Sequence, residues 1–194
     1  GLSHGVSGIV AALASAHKIN PDSSLKSAIL GAVSYETSQF NHDIQNWPDQ
    51  RYDKTRFSIG WSHGAPGIGL SRLSMASLDF VDPSIEVDMV SSAIYNFKGE
   101  VFDYIVSGKA SHIAFFNQCK KTPFNNPQQQ KFKNKLICEL LSDFNDNRAF
   151  HLPFKQNRIM ANPSLFTGIS GIGLCLLQAC TGFDSNLPSV WVLD

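Results

Sequence analysis

Apolar residues recur at helical spacing along the chain, and each recurrence is announced by a glycine turn. Residues 3–9, 62–68, 107–113 and 167–172 align as four copies of that turn. Three keep a Gly-x-x-Gly-Ile core, at Gly5 and Gly8, Gly64 and Gly67, and Gly168 and Gly171; the third carries His112 where a second glycine is expected. Behind the first turn Ile9, Ala12, Leu13 and Ala16 predict one helix stripe, and behind the second Ile68, Leu70 and Leu73 predict another. Farther on, Asn20-Pro21, Asp82-Pro83 and Asn126-Pro127 each read as an N-cap followed by proline at the first helical position, where no amide donor is needed. Their stripes are Leu25, Ile29, Ala32 and Val33, then Val90, Ala93, Ile94 and Phe97, then Phe132, Leu136, Leu140 and Leu141.

The repeating unit is therefore glycine turn, helix, loop and capped helix. It occurs three times, with a fourth turn and a helix over 169–180 that lacks a partner. Such hairpins bury their stripes against neighbours. The leading glycine suits positive φ, and the second permits close backbone approach. Strand signals are sparse, so the expected class is all-α, with residues 1–194 read without an internal domain boundary. Two long connections interrupt the pattern, 41–60 with Asn46-Trp47-Pro48-Asp49 and 145–163 with Pro153 and Pro163; loops of this length usually serve a function.

Composition narrows the role. The 194 residues are 43% hydrophobic and 16% charged, a globular balance. Sixteen basic residues match sixteen acidic ones, which speaks against nucleic acid or a charged membrane surface as partner. No apolar run is long enough to span a bilayer. Cys119, Cys138, Cys175 and Cys180 form no C-x-x-C pair, so free thiols and a cytoplasmic setting are expected, with Cys175 and Cys180 acting as small hydrophobes. The first residue is glycine, and the expectation is a chain that starts inside a longer protein, with an apolar seam left bare at each end and a tendency to self-associate.

The motifs themselves resemble a known family. Ser3-His4-Gly5-x-x-Gly-Ile is similar to a His-Gly motif of the lanthionine synthetase C-like cyclases. Asn46-Trp47-Pro48-Asp49, followed by Trp61-Ser62-His63-Gly64-Ala65-Pro66-Gly67-Ile68, resembles the Trp-Cys-His-Gly-Ala-Pro-Gly-Ile signature of their bifunctional type II members. Leu165-Phe166-Thr167-Gly168-Ile169-Ser170-Gly171-Ile172-Gly173 and Pro188-Ser189-Val190 are similar to the closing motifs. The resemblance implies an α/α toroid of inner and outer helices, of which this chain supplies roughly the last four of seven hairpins. It also implies a reaction: a cysteine of a precursor peptide adds to a dehydroalanine or dehydrobutyrine of the same peptide, closing a thioether ring. The family's zinc binds the substrate thiol and lowers its pKa.

The departures bear on that chemistry. The resemblance places the family's zinc ligands at Ser62, Val106 and Ser107. None is a cysteine or histidine, and serine hydroxyls ionise too weakly to replace thiolates. No cofactor is therefore expected. His4 and His63 remain as acid–base candidates at helix N-termini, where the dipole disfavours imidazolium. The competing reading, which the missing ligands favour, has both imidazoles bonded to loop backbone and fixing the turns. His112 is read as local repacking, Asp103 as a solvated loop carboxylate, and Lys131, Lys133 and Lys135 as cover on a solvent face.

The function these features imply is a cyclase-like domain with impaired catalysis and a precursor peptide as partner, continuing an N-terminal synthetase region. The alternatives are a non-enzymatic peptide-binding scaffold and a degraded gene fragment. An α/α-barrel glycosidase ranks low, because none of the four turns carries the carboxylates it would need.

Overall fold

The computed structural model describes residues 1–51, 53, 55–99, 101–152 and 162–179. They form seven helices and a two-stranded ribbon, which makes the protein all-α as expected. The chain divides into two compact units, one built on Gly1–Phe97 and one that starts at Lys98.

The first unit contains two hairpins. Helix α1 (Val6–Ile19) pairs with α2 (Ser23–Ser38), and α3 (Ala65–Ser74) with α4 (Ser84–Asn96). Helices α1 and α3 also pack together, and Val10, Ala14, Ile29, Met75 and Leu78 form one core between these elements. Each fully buried Ile or Met of this kind contributes about 1.5–3 kcal/mol. Between the hairpins, residues 41–60 carry the ribbon β1 (Pro48–Asp49) and β2 (Arg56–Phe57), antiparallel with Pro48 opposite Phe57. The loop is pinned from inside. Asn46 Nδ2 donates to the Ser58 carbonyl at 3.0 Å, and the Trp47 indole donates to the Glu36 carbonyl at 2.9 Å.

Several stripes lie where the periodicity put them. Ile29 is buried with Ala32 and Val33 beside it, and Val90, Ala93 and Ile94 are buried on α4. The α1 stripe is different. Its buried residues are Ser7, Val10, Ala11 and Ala14, whereas Ile9 is 60% exposed and Ala12 and Ala16 are exposed. Alanines on both sides of this helix leave its apolar face poorly defined, and a buried serine shifts it.

The first cap also moves. Helix α2 is capped by Asp22, which accepts from the Ser24 and Leu25 amides, and not by Asn20. The second cap moves by one residue: Pro83, not Asp82, is the N-cap of α4, and Asp82, one residue before it, accepts from the Ser84 amide. Asn126 caps α6 as expected, in a full capping box with Gln129 and with Pro127 in the first turn.

In the second unit, α5 (Lys109–Lys120) packs against α6 (Pro127–Asn147) and α7 (Ile169–Ala179). Ile105, Ile113, Phe115, Phe116, Leu140, Ile172 and Cys175 are buried there. Leu141 lies 44% exposed, outside the stripe assigned to it, and Lys133 is buried, so only Lys131 and Lys135 cover a solvent face. Asp103 is fully buried and not solvated. It accepts from the His151 amide at 2.6 Å and faces Lys109 Nζ at 3.2 Å. Cys180, Pro153 and the closing Pro188-Ser189-Val190 lie outside the described residues.

The repeat is visible in the turns themselves. The N-caps of α1, α3 and α5 are Gly5, Gly64 and Gly108, which puts Ser111, and not His112, in the place of Gly8 and Gly67. His112 then stands where Ile68 stands in α3, and it is likewise buried. A Cβ at Gly8, Gly67 or Gly171 would run into the carbonyl of Leu2, Trp61 or Leu165, in each case six residues back, so close backbone approach is the reason for that glycine. Among the glycines of the described residues only Gly64 takes positive φ, at 121°.

Candidate functional site

Successive turns are clasped by the same backbone bond in both units. The Ser3 amide donates to the Ser62 carbonyl at 3.3 Å, and the Val106 amide to the Phe166 carbonyl at 3.2 Å. In the first unit the side chains extend the clasp. The Ser3 and Ser62 hydroxyls are 2.5 Å apart, a short hydrogen bond between repeat-equivalent residues. Ser62 is buried, so its hydroxyl is spent within the turn.

The next residue of each turn is a histidine. His4 and His63 stack, with ring centroids 5.7 Å apart and planes 21° from parallel. Among the described residues neither ring hydrogen-bonds to loop backbone, so the stack, and not the expected backbone bonds, orients them. Each imidazole directly precedes the glycine N-cap of a helix with no side-chain cap and no acidic residue in its first turn. Burial, and after it the Arg51 guanidinium, hold the His63 pKa below the ordinary value. His63 is thus neutral at pH 7, a state from which an imidazole can accept or relay a proton.

The histidines line a cleft of about 280 Å3 whose walls include Val6, Tyr35, Trp47, Pro48, Gly64 and Ile68. Asp49 and Arg51, from the ribbon, stand at one side. Arg51 Nε and Nη2 reach the Asp49 carboxylate at 2.8 and 2.5 Å, and this guanidinium, against the opposing effect of burial, lowers the Asp49 pKa to about 2. Glu36 completes the lining from α2. Both its oxygens accept from Ser7 Oγ at 2.7 Å, and Oε2 lies 3.1 Å from Nη2 of the fully buried Arg72.

Trp47, Pro48 and Asp49 of the long loop and both histidines, all legible as motif, come together at one cleft. Glu36, Arg51 and Arg72 belong to no motif. A signal for two of these was available. Glu36 falls three residues after Val33, on the apolar side of α2, and Arg72 stands between Leu70 and Leu73 of α3, a helix with no other charge. Opposite charges on two buried faces imply that they meet.

Val106 and Ser107 are half-buried residues of the second unit. Valine has no donor atom for a metal, and Ser62 is engaged with Ser3; this donor set does not fit zinc. Among the described residues no three His, Cys, Asp or Glu side chains are grouped to hold a metal ion. Cys175, on α7, is buried, its thiol pKa is raised by that burial, and its Sγ donates to the Ala110 carbonyl at 3.4 Å. Among the described residues no helix is long and apolar enough to cross a membrane.

The profile described as lanthionine synthetase C-like protein matches residues 1–192. No curated protein matches the chain.

Proposed function

The chain belongs to the lanthionine synthetase C-like family, and from that premise we propose that it binds a precursor peptide in the His4–His63 cleft but is impaired in ring closure. Within the family we read it as similar to the C-terminal cyclase domain of type II synthetases, through the Trp61–Ile68 signature. The observation that carries the proposal is the cleft itself. Two repeat-equivalent histidines, a tryptophan loop and an ion pair, all from family motifs or next to them, converge on one concave surface.

Ring closure forms a bond from the cysteine sulfur to the β-carbon of the dehydro residue, and the thiol proton ends on the α-carbon. Nothing is oxidised or reduced. The reaction needs a thiolate, a proton donor and a held peptide. The cleft supplies the holding surface, and His63, neutral at pH 7, with His4 stacked on it, supplies the proton-handling group. What the chain lacks is a means of making thiolate. With Ser62, Val106 and Ser107 at the family's ligand positions, a substrate cysteine keeps a pKa near 8.5 and is only a few per cent ionised at pH 7.

The test has two readouts. Elemental analysis of the purified chain is expected to give well under one zinc per molecule; about one tightly bound zinc would refute the metal part of the proposal. A fluorescently labelled peptide carrying cysteine and dehydroalanine is expected to bind, and H4A/H63A to weaken binding on the order of tenfold, the equivalent of about 1.4 kcal/mol. Binding unaffected by the double variant would move the peptide site away from this cleft.

A further inference from the structure

We propose that Glu36 is a positioning residue: its buried carboxylate sets the register of α1 against α3 and so holds His4 and His63 face to face. The proposal rests on the reading of this cleft as the peptide site, but its test does not involve peptide.

Glu36 is the point where three separate stretches of chain meet. Its side chain takes Ser7 Oγ from the first turn of α1 and Arg72 from the end of α3, and its backbone carbonyl takes the Trp47 indole from the loop. The two helices are tied a second time at the same level, by Ser71 Oγ donating to the Ser7 carbonyl at 2.7 Å. Ser7 lies three residues beyond His4, so a slide of α1 along α3 would carry His4 off the His63 ring. The contact between the rings is therefore held by bonds one helical turn deeper in the protein together with the Ser3–Ser62 clasp beside it.

Stability alone does not account for the pair. A buried carboxylate and guanidinium lose solvation that their attraction repays only with good geometry, and apolar residues of equal volume often do as well or better. Here the geometry is poor. Arg72 is fully buried, its Nη2 faces the carboxylate as an ion pair, and none of Nε, Nη1 and Nη2 has a hydrogen-bond partner among the described residues. The hydrogen bond to Ser7 and the ion pair to Arg72 are what an apolar substitute could not reproduce, whereas the Trp47 bond, made by the Glu36 backbone carbonyl, would persist.

The experiment uses the full 194-residue chain and follows the ring-proton cross-peaks between His4 and His63 by NMR, beside the denaturation midpoint. E36Q is expected to lose the cross-peaks. E36L/R72M, which buries no charge, is expected to regain the parent's midpoint without regaining the cross-peaks, a separation that a purely structural pair would not give. If either of these variants fails to fold, S7A, which deletes one hydroxyl, is expected to weaken the cross-peaks in a folded chain. Cross-peaks of parental strength in folded E36L/R72M or in S7A would overturn the proposal. Absence of peptide binding by the parent chain, with the cross-peaks lost in E36Q as expected, would count against the peptide-site reading and leave Glu36's role standing.

Discussion

His4 and His63 are equivalent residues of two sequence repeats, and they meet ring on ring at 5.7 Å. The relationship follows from the turns. Each histidine sits between a serine that clasps the other turn and a glycine that caps a helix, so like positions are brought opposite like.

The neighbouring guanidinium gives a first prediction. Arg51 lowers the His63 pKa, second to burial, so R51A is expected to move the His63 midpoint up toward the ordinary histidine value in an NMR titration. Because the folded pKa lies below the unfolded one, His63 contributes stability that is present above the unfolded midpoint near 6.5 and is lost as pH falls through the folded value. An unmoved midpoint in folded R51A would mean that Arg51 does not act on the ring.

Acid should act on Asp49 in a separate window. Its pKa falls from 3.8 to about 2 on folding, so the stability it confers is complete above pH 4 and disappears as pH drops toward 2. The shift corresponds to about 1–2 kcal/mol, allowing for solvent around the exposed part of Arg51. D49N is expected to lose this amount at pH 7 in urea unfolding and to show a flatter stability profile between pH 4 and 2. Parallel profiles for parent and D49N would contradict the assignment.

Two glycines should respond to alanine in opposite directions. Gly64 has φ of 121°, and a Cβ there would strike the Ser58 carbonyl, so G64A is expected to cost at least about 1–3 kcal/mol. Gly31 lies within α2 with open space where the Cβ would go, and G31A is expected to add about 0.5–1 kcal/mol. Thermal melts of the two variants side by side check both signs.

The turns were legible because three of the four carry glycine at the close approach, and the repeated spacing exposed them. The capped helices α4 and α6 were legible because one face of each is strongly apolar. Helix α1 was not, since Ala11, Ala12, Ala14 and Ala16 surround it and Ser7 lies on the buried side. In α2 the run Asn20-Pro21-Asp22-Ser23 offers several cap candidates, and only the geometry selects Asp22. His112 was placed one residue out of register because the third turn carries serine where the others carry glycine. At the cleft both histidines were readable from motif, whereas Glu36 and Arg72 were hidden by the habit of assigning charge to solvent.

A peptide held in this cleft is expected to stay open. A synthetic peptide containing one dehydroalanine and one cysteine, incubated with the chain at pH 7 with added zinc, can be quenched with an alkylating agent and analysed by mass spectrometry. Alkylation adds mass only to an open cysteine, so it counts the peptides that have not closed. The expected result is that free thiol disappears no faster with the protein than without it, while the labelled form of the same peptide still binds. Ring formation accelerated well above the protein-free rate would contradict the account and show that a working cyclase is present without the family's cysteine ligands.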